Sequence, residues 1–194
     1  MIRATVFLLV MLLGGCAAVP TTTVTGTSAA ELTDWRFNGR ISLTRGEEGW
    51  HAGLVWQELD GRYQLNVAGP LGQGAFQLSG DAYGVLLVDA QERSYTARDA
   101  DALLAHVTGW ELPVSGLRYW VRGVQAPGSE ASASRDAQGR LMRLQQDGWD
   151  ISYSRYQEID GTDWPAKLRL EREDIVVRVV IDQWQPGAPA TGMP

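Results

Sequence analysis

From residue 35 onward the chain alternates apolar and polar side chains with a period of two, and this limits its possible folds more than any other feature. Phe37, Gly39, Ile41 and Leu43 alternate with Arg36, Asn38, Arg40 and Ser42, and Tyr63, Leu65 and Val67 alternate with Arg62, Gln64 and Asn66. Successive side chains of an extended strand point to opposite faces, so such runs make half-buried antiparallel strands with one wet face. Further strands are read at 50–58, 75–79, 85–89, 92–96, 131–135, 140–146, 149–156, 166–172 and 175–184. Asp60-Gly61, Gly80-Asp81, Asp136-Ala137-Gln138-Gly139, Asp147-Gly148 and Asp160-Gly161 stand between them. Turn signals at such short intervals belong to a meander, not to parallel units with crossover helices, and predict about eleven strands in one sheet.

Only the middle breaks this period. Thr96-Ala97-Arg98-Asp99 fits a capping box, after which Ala100, Leu103, Leu104 and Val107 recur at helical spacing until Gly109. Pro113 can open a second helix with Leu117, Trp120 and Val121 on one stripe and Gly123 at its end. A sheet of this length curls because strands twist, and helices inserted halfway can cover its concave face. They either cap a packed core or lid a lined cavity; periodicity does not choose between the two.

The front of the chain carries a different message. Met1-Ile2-Arg3, an almost wholly apolar run over 4–13 and Leu13-Gly14-Gly15-Cys16 read as a secretory signal, 1–15, too short to span a bilayer. Cys16 is the only cysteine, and the tetrapeptide ending in it matches the bacterial lipobox, which implies lipidation of Cys16 as a tether. Residues 16–31 are the lipidated terminus and a spacer rich in Ala, Thr, Ser, Val and Gly that cannot bury a core. Ala17 stands where proteobacterial lipoproteins retained in the inner membrane commonly carry Asp, so that similarity points to the outer membrane. One domain is expected over 32–185, with the Pro-, Gly- and Ala-rich tail 186–194 disordered.

Seventeen Lys and Arg against 23 Asp and Glu give a net charge of −6, which argues against nucleic acid and against electrostatic docking on anionic lipid. The chain has no nucleophile elbow, phosphate loop or HExxH, and its two histidines, His51 and His106, have nothing at ligand spacing around them. No cofactor, no metal and no catalysis are expected.

Several runs together resemble the LolB family of outer-membrane lipoprotein receptors. They are Trp35-Arg36-Phe37-Asn38-Gly39-Arg40-Ile41, Ala68-Gly69-Pro70-Leu71-Gly72-Gln73-Gly74, Tyr95-Thr96-Ala97 before Ala102-Leu103-Leu104, Trp110-Glu111-Leu112-Pro113-Val114, and Leu117-Arg118-Tyr119-Trp120-Val121-Arg122-Gly123. The later Gln146-Asp147-Gly148-Trp149-Asp150-Ile151-Ser152-Tyr153, Tyr156, Pro165-Ala166-Lys167-Leu168 and Ile181-Asp182-Gln183-Trp184 fit as well. The resemblance implies a mainly β fold, an unclosed antiparallel barrel of about eleven strands with a helical lid over an apolar cavity. It implies a monomer, lipid-anchored through Cys16 on the periplasmic face of the outer membrane, that accepts lipoproteins from the soluble carrier LolA and inserts them. The alternatives are an anchored lipid or lipoprotein sensor without transfer, and an anchored enzyme.

Site residues follow from the two readings together. The strand alternation turns Phe37, Ile41, Leu54, Trp56, Tyr63, Leu65, Val67, Phe76, Leu78, Trp149 and Ile151 inward, and the helices add Leu103, Leu104, Leu117 and Trp120. Leu43, Leu86, Val88, Met142, Leu144, Tyr153, Val107 and Val121 extend the list. Such a set lines a cavity or packs a core, since both share a composition. Tryptophan occurs eight times, either as ordinary core or as a rigid lining with each N–H tied to the wall. In the family, the loop leucine matching Leu71, beside Pro70, protrudes from the rim and is implicated in membrane-directed release. Gly and Pro force a turn here that leaves Leu71 without a strand or helix to bury it. Arg118 and Arg122 either meet an acidic rim on a carrier or are solvated.

Overall fold

Tight reversals build the sheet. In the computed structural model, which describes residues 32–187 other than Gln73, Asp60-Gly61, Asp147-Gly148 and Asp160-Gly161 have positive φ at both residues. That backbone matches the right-handed twist of the strands it joins. The strands are β1 (Trp35–Arg45), β2 (Glu48–Leu59), β3 (Arg62–Ala68), β4 (Phe76–Gly80), β5 (Val85–Asp89) and β6 (Ser94–Ala97). Helices α1 (Ala100–Thr108) and α2 (Val114–Trp120) follow, then β7 (Ala131–Arg135), β8 (Leu141–Gln146), β9 (Trp149–Ile159), β10 (Thr162–Arg172) and β11 (Ile175–Pro186). Cys16, the signal and the spacer, with the tail beyond residue 187, lie outside the described residues.

All eleven strands form one antiparallel sheet in the order β6-β5-β4-β3-β2-β1-β11-β10-β9-β8-β7. Every hydrogen-bonded neighbour is also a sequence neighbour except β1 and β11, which pair at the centre, so β6 and β7 remain as edges and the wrap is unclosed. Pro186, placed in the tail from sequence, instead pairs with Trp35 at the end of β11, and the Gly187 N–H donates to the Asp34 carbonyl at 2.8 Å.

One buried cluster fills the space between the concave face and the helices. Leu103 and Leu104 of α1 and Leu117 and Trp120 of α2 join it, together with the inward residues of every strand from β1 to β5 and from β8 to β11. The cap of α1 differs from the expected Thr96 box. Asp99 is the N-cap, its carboxylate accepting from the Asp101 and Ala102 N–H groups, and Gly109 closes the helix in the left-handed region.

Two strands correct the inward list. Leu86 is 37% exposed and Val88 half-buried, whereas Val85 and Leu87 are buried. Val85-Leu86-Leu87-Val88 is apolar throughout and sets no phase of its own; pairing of Leu87 with the buried Leu78 sets it. Met142 is 54% exposed. A bulge places two steps of β8, Leu141 to Arg143, against one step of β7, so Leu141 and Leu144 both turn inward and Met142 turns out.

Candidate acyl-chain site and rim loop

All fifteen lining candidates meet. Phe37, Ile41, Leu54, Trp56, Tyr63, Leu65, Val67, Phe76, Leu78, Leu103, Leu104, Leu117, Trp120, Trp149 and Ile151 belong to the single buried cluster, none more than 9% exposed. In this form they pack against one another. The residues missed include Trp35, Ala52, Leu112, Val114, Trp164 and Trp184, and on the central strands Leu168 and Leu170 of β10 and Ile175, Val177, Val179 and Ile181 of β11, all buried. On β11 the alternation with Val176, Arg178 and Val180 was the available signal, blurred by valines on both faces.

Aromatic rings crowd one end. Trp35, Phe37, Trp56, Trp164 and Trp184 are linked by ring contacts with centroids 4.8 to 6.1 Å apart. Trp184 Nε1 donates to the Pro165 carbonyl at 2.7 Å and Trp120 Nε1 to Gln146 Oε1 at 2.9 Å. A lining with every indole tied is not what forms, because Trp35, Trp56 and Trp164 have no acceptor. Trp35 instead meets Trp184 edge to face, a weaker arrangement that needs no oxygen.

Polar groups fasten α2 and the segment that follows it. Buried Gln146 accepts from Trp120 and from the Ala126 N–H and donates to the Ala126 carbonyl at 2.7 Å and to Ser129 Oγ at 2.9 Å. Tyr153 Oη donates to the Trp120 carbonyl at 3.0 Å, and burial drives its pKa far up, so it stays a neutral donor. Arg118 is half-buried: it pairs with Glu58 and lies over the Tyr63 ring at 4.6 Å. Arg122 Nη1 donates to the Leu32 carbonyl at 2.7 Å.

Between β3 and β4 the chain makes one short turn, Pro70–Gly72. Leu71 there has φ 57° and ψ 25°, a left-handed backbone unusual for a leucine, and is 99% exposed. Gly72 N–H donates to the Gly69 carbonyl at 3.0 Å and locks the turn.

Recesses at the surface of the described residues include three with distinct linings. One of about 210 Å³ opens beside this loop, between α1 and the sheet, lined by Trp50, Phe76, Leu87, Leu104, Val107 and Trp110 with Asp89 and Arg93 at its edge. Another of about 400 Å³ lies on the far side of the helices, reaching Leu112, Trp120 and Trp149 past Asp101, Glu111, Asp147 and Arg172. A third, about 690 Å³, is a mixed groove on the outer face of β3 to β6 that includes Gln64, Gln77, Ser79 and Thr96 beside Tyr83 and Leu86. Among the described residues no group of three or more His, Cys, Asp or Glu could hold a metal ion; His51 and His106 are exposed.

An unclosed antiparallel wrap covered by two helices over an apolar interior is a fold this chain shares with solved structures of other proteins. A LolA superfamily protein of Nitrosomonas europaea aligns with a TM-score of 0.53 at 8% identity, covering 84% of this chain and 88% of that one. A putative outer membrane lipoprotein-sorting protein domain of Vibrio parahaemolyticus aligns at 0.56 and 10%, covering 81% and 87%. Within that fold, the family model described as outer membrane lipoprotein LolB matches residues 33–184, and the chain belongs to the LolB family. It is 41% identical over 157 residues to the outer-membrane lipoprotein LolB of Pseudomonas aeruginosa, covering 81% of this chain and 77% of the relative. With that of Stutzerimonas stutzeri it shares 36% over 190 residues and 92% of each chain.

Proposed function

We propose that this protein is an outer-membrane lipoprotein that accepts other lipoproteins from the periplasmic carrier LolA by holding their acyl chains, and inserts them into the outer membrane. Leu71 carries the reading: a fully exposed leucine on strained backbone, beside an interior made of apolar side chains. An exposed side chain this apolar gains by entering a bilayer. Family membership and the names of the relatives support the same reading.

The physics requires such a device. Burying acyl chain is worth about 0.8 kcal/mol per methylene, so a lipoprotein crossing water bare loses on the order of tens of kcal/mol. A carrier and a receptor that pass chains from one apolar interior to the next avoid that exposure. With no nucleotide-binding motif in the chain, transfer runs down a gradient of affinity, from carrier to receptor to bilayer. In this reading α1 and α2 lift from the sheet to admit chains, the fifteen packed residues become their lining, and Leu71, seated by Pro70, touches the membrane. Lipidated Cys16 anchors the domain on the periplasmic face, residues 16–31 are its leash and 32–185 its binding domain. It acts as a monomer, without cofactor, nucleic acid or catalytic step.

Leu71→Glu tests this. Lipid binding should survive, while delivery of a labelled lipoprotein from carrier to vesicles slows by about tenfold or more, since insertion of one leucine is worth roughly 1.5–3 kcal/mol. Equal loss of both would make Leu71 a structural residue.

A further inference from the structure

We propose that the recess between α1 and the β4–β5 hairpin is the portal through which one acyl chain passes between the interior and the bilayer; this rests on the lipid-transfer reading above. Its floor is the first argument. Phe76, Leu87 and Leu104 line the recess and also belong to the buried cluster, so a chain that passes Asp89 and Arg93 at the edge touches the interior lining directly.

Position is the second. Gly74 and Ala75, in the loop that carries Leu71, form part of the wall, and Gly74 packs so closely on Trp50 that an added Cβ would lie 3.3 Å from the indole nitrogen. The residue that enters the membrane and the mouth of the recess therefore share one short loop.

The rim is the third. Trp50 and Trp110 are half-buried at the edge, and tryptophan favours the boundary between hydrocarbon and water. Arg45 holds Trp110, its guanidinium 5.2 Å from the ring centroid and Nη2 donating to the Gly109 carbonyl at 2.6 Å.

Size separates passage from storage. At about 210 Å³ the recess is below the roughly 300–1,000 Å³ of small-ligand pockets, so it admits a chain without housing the whole lipid. The recess across the helices is larger, but no residue of the loop that carries Leu71 lines it, so a chain leaving there would have no direct path to the residue that enters the membrane.

The test is stopped-flow exchange of a dansyl-labelled long-chain fatty acid with the full chain. Val107→Trp fills the recess and Ala75→Phe narrows its entrance; each should slow both association and release by about tenfold, the effect of adding about 1.4 kcal/mol to a barrier. Trp110→Ala widens the mouth and should accelerate both. Ala102→Trp puts the same bulk in the opposite recess and should exchange as wild type. Destabilisation alone would speed every variant together. Wild-type rates in folded Val107→Trp and Ala75→Phe, no acceleration in Trp110→Ala, or slowing confined to Ala102→Trp would overturn the portal. A wild-type chain that does not bind the probe would instead sink the lipid reading itself.

Discussion

At the scale of single residues, Gly39 shows how a fold constraint can hide in an ordinary position. The alternation counts it among inward apolar residues of β1, yet its role concerns backbone. Opposite it β11 bulges, with Asn38 paired to Gln183 and Gly39 to Ile181, and a Cβ at Gly39 would fall 2.3 Å from the Val180 carbonyl oxygen. That contact is with backbone and cannot be relieved by a rotamer change. Gly39→Ala should therefore cost about 3 kcal/mol, read as a lower urea midpoint at unchanged slope. Nothing in the sequence announces it, because the close approach comes from Val180, 141 positions later, and the neighbouring Arg40–Asp182 pair spans 142. Leu71 is the opposite case. Gly69-Pro70-Leu71-Gly72 has no partner strand to face, so its exposure was legible locally, although its positive φ was not.

Among the elements, legibility followed the clarity of the period. The strands predicted at 85–89 and 131–135 are β5 and β7 to the residue, whereas those predicted at 149–156 and 166–172 run on to the Asp160-Gly161 turn as β9 and β10. Phase failed in β5, where four apolar residues run together, and in β8, where a bulge shifts it, since both are decided by the neighbouring strand. The turn after β5 gives an element-scale prediction. Desolvation alone would raise the pKa of Asp89, but hydrogen bonds from the Arg93 guanidinium and from the Arg93 and Gln91 N–H groups outweigh it and hold the carboxyl below its usual range. A carboxyl lowered in the folded state stabilises it above the unfolded pKa and loses that contribution as pH falls through the folded value. Below about pH 3.9 the β5–β6 turn should loosen progressively, seen as shifts of the Gln91 and Arg93 amide signals by NMR. Asp89→Asn should show the loosened signals already at neutral pH and little further change on acidification.

For the molecule as a whole, one set of side chains is at once the core of the empty protein and, in the reading above, the lining for its load. Composition could not separate these roles because they use the same residues, and the structure shows them packed together in the closed form. Lipid entry must then break helix–sheet contacts that stabilise the closed state, and that cost lowers the affinity for acyl chains. A receptor that binds weakly for this reason releases readily to a bilayer, where no such contacts are lost. Leu104 tests the coupling, being buried on α1 and facing both the cluster and the rim recess. Leu104→Ala should lower unfolding free energy by about 2–5 kcal/mol, as truncation of a packed leucine does. It should also raise affinity for a long-chain fatty acid, because apolar space already vacant need not be opened by the ligand. Delivery to vesicles should slow in consequence, since a tighter hold flattens the step from receptor to membrane. Urea denaturation, fatty-acid titration and a transfer assay on one variant measure the three quantities. A variant that loses stability and affinity together would mean that the packed interior supports binding instead of opposing it, and the source of the downhill hand-over would have to lie elsewhere.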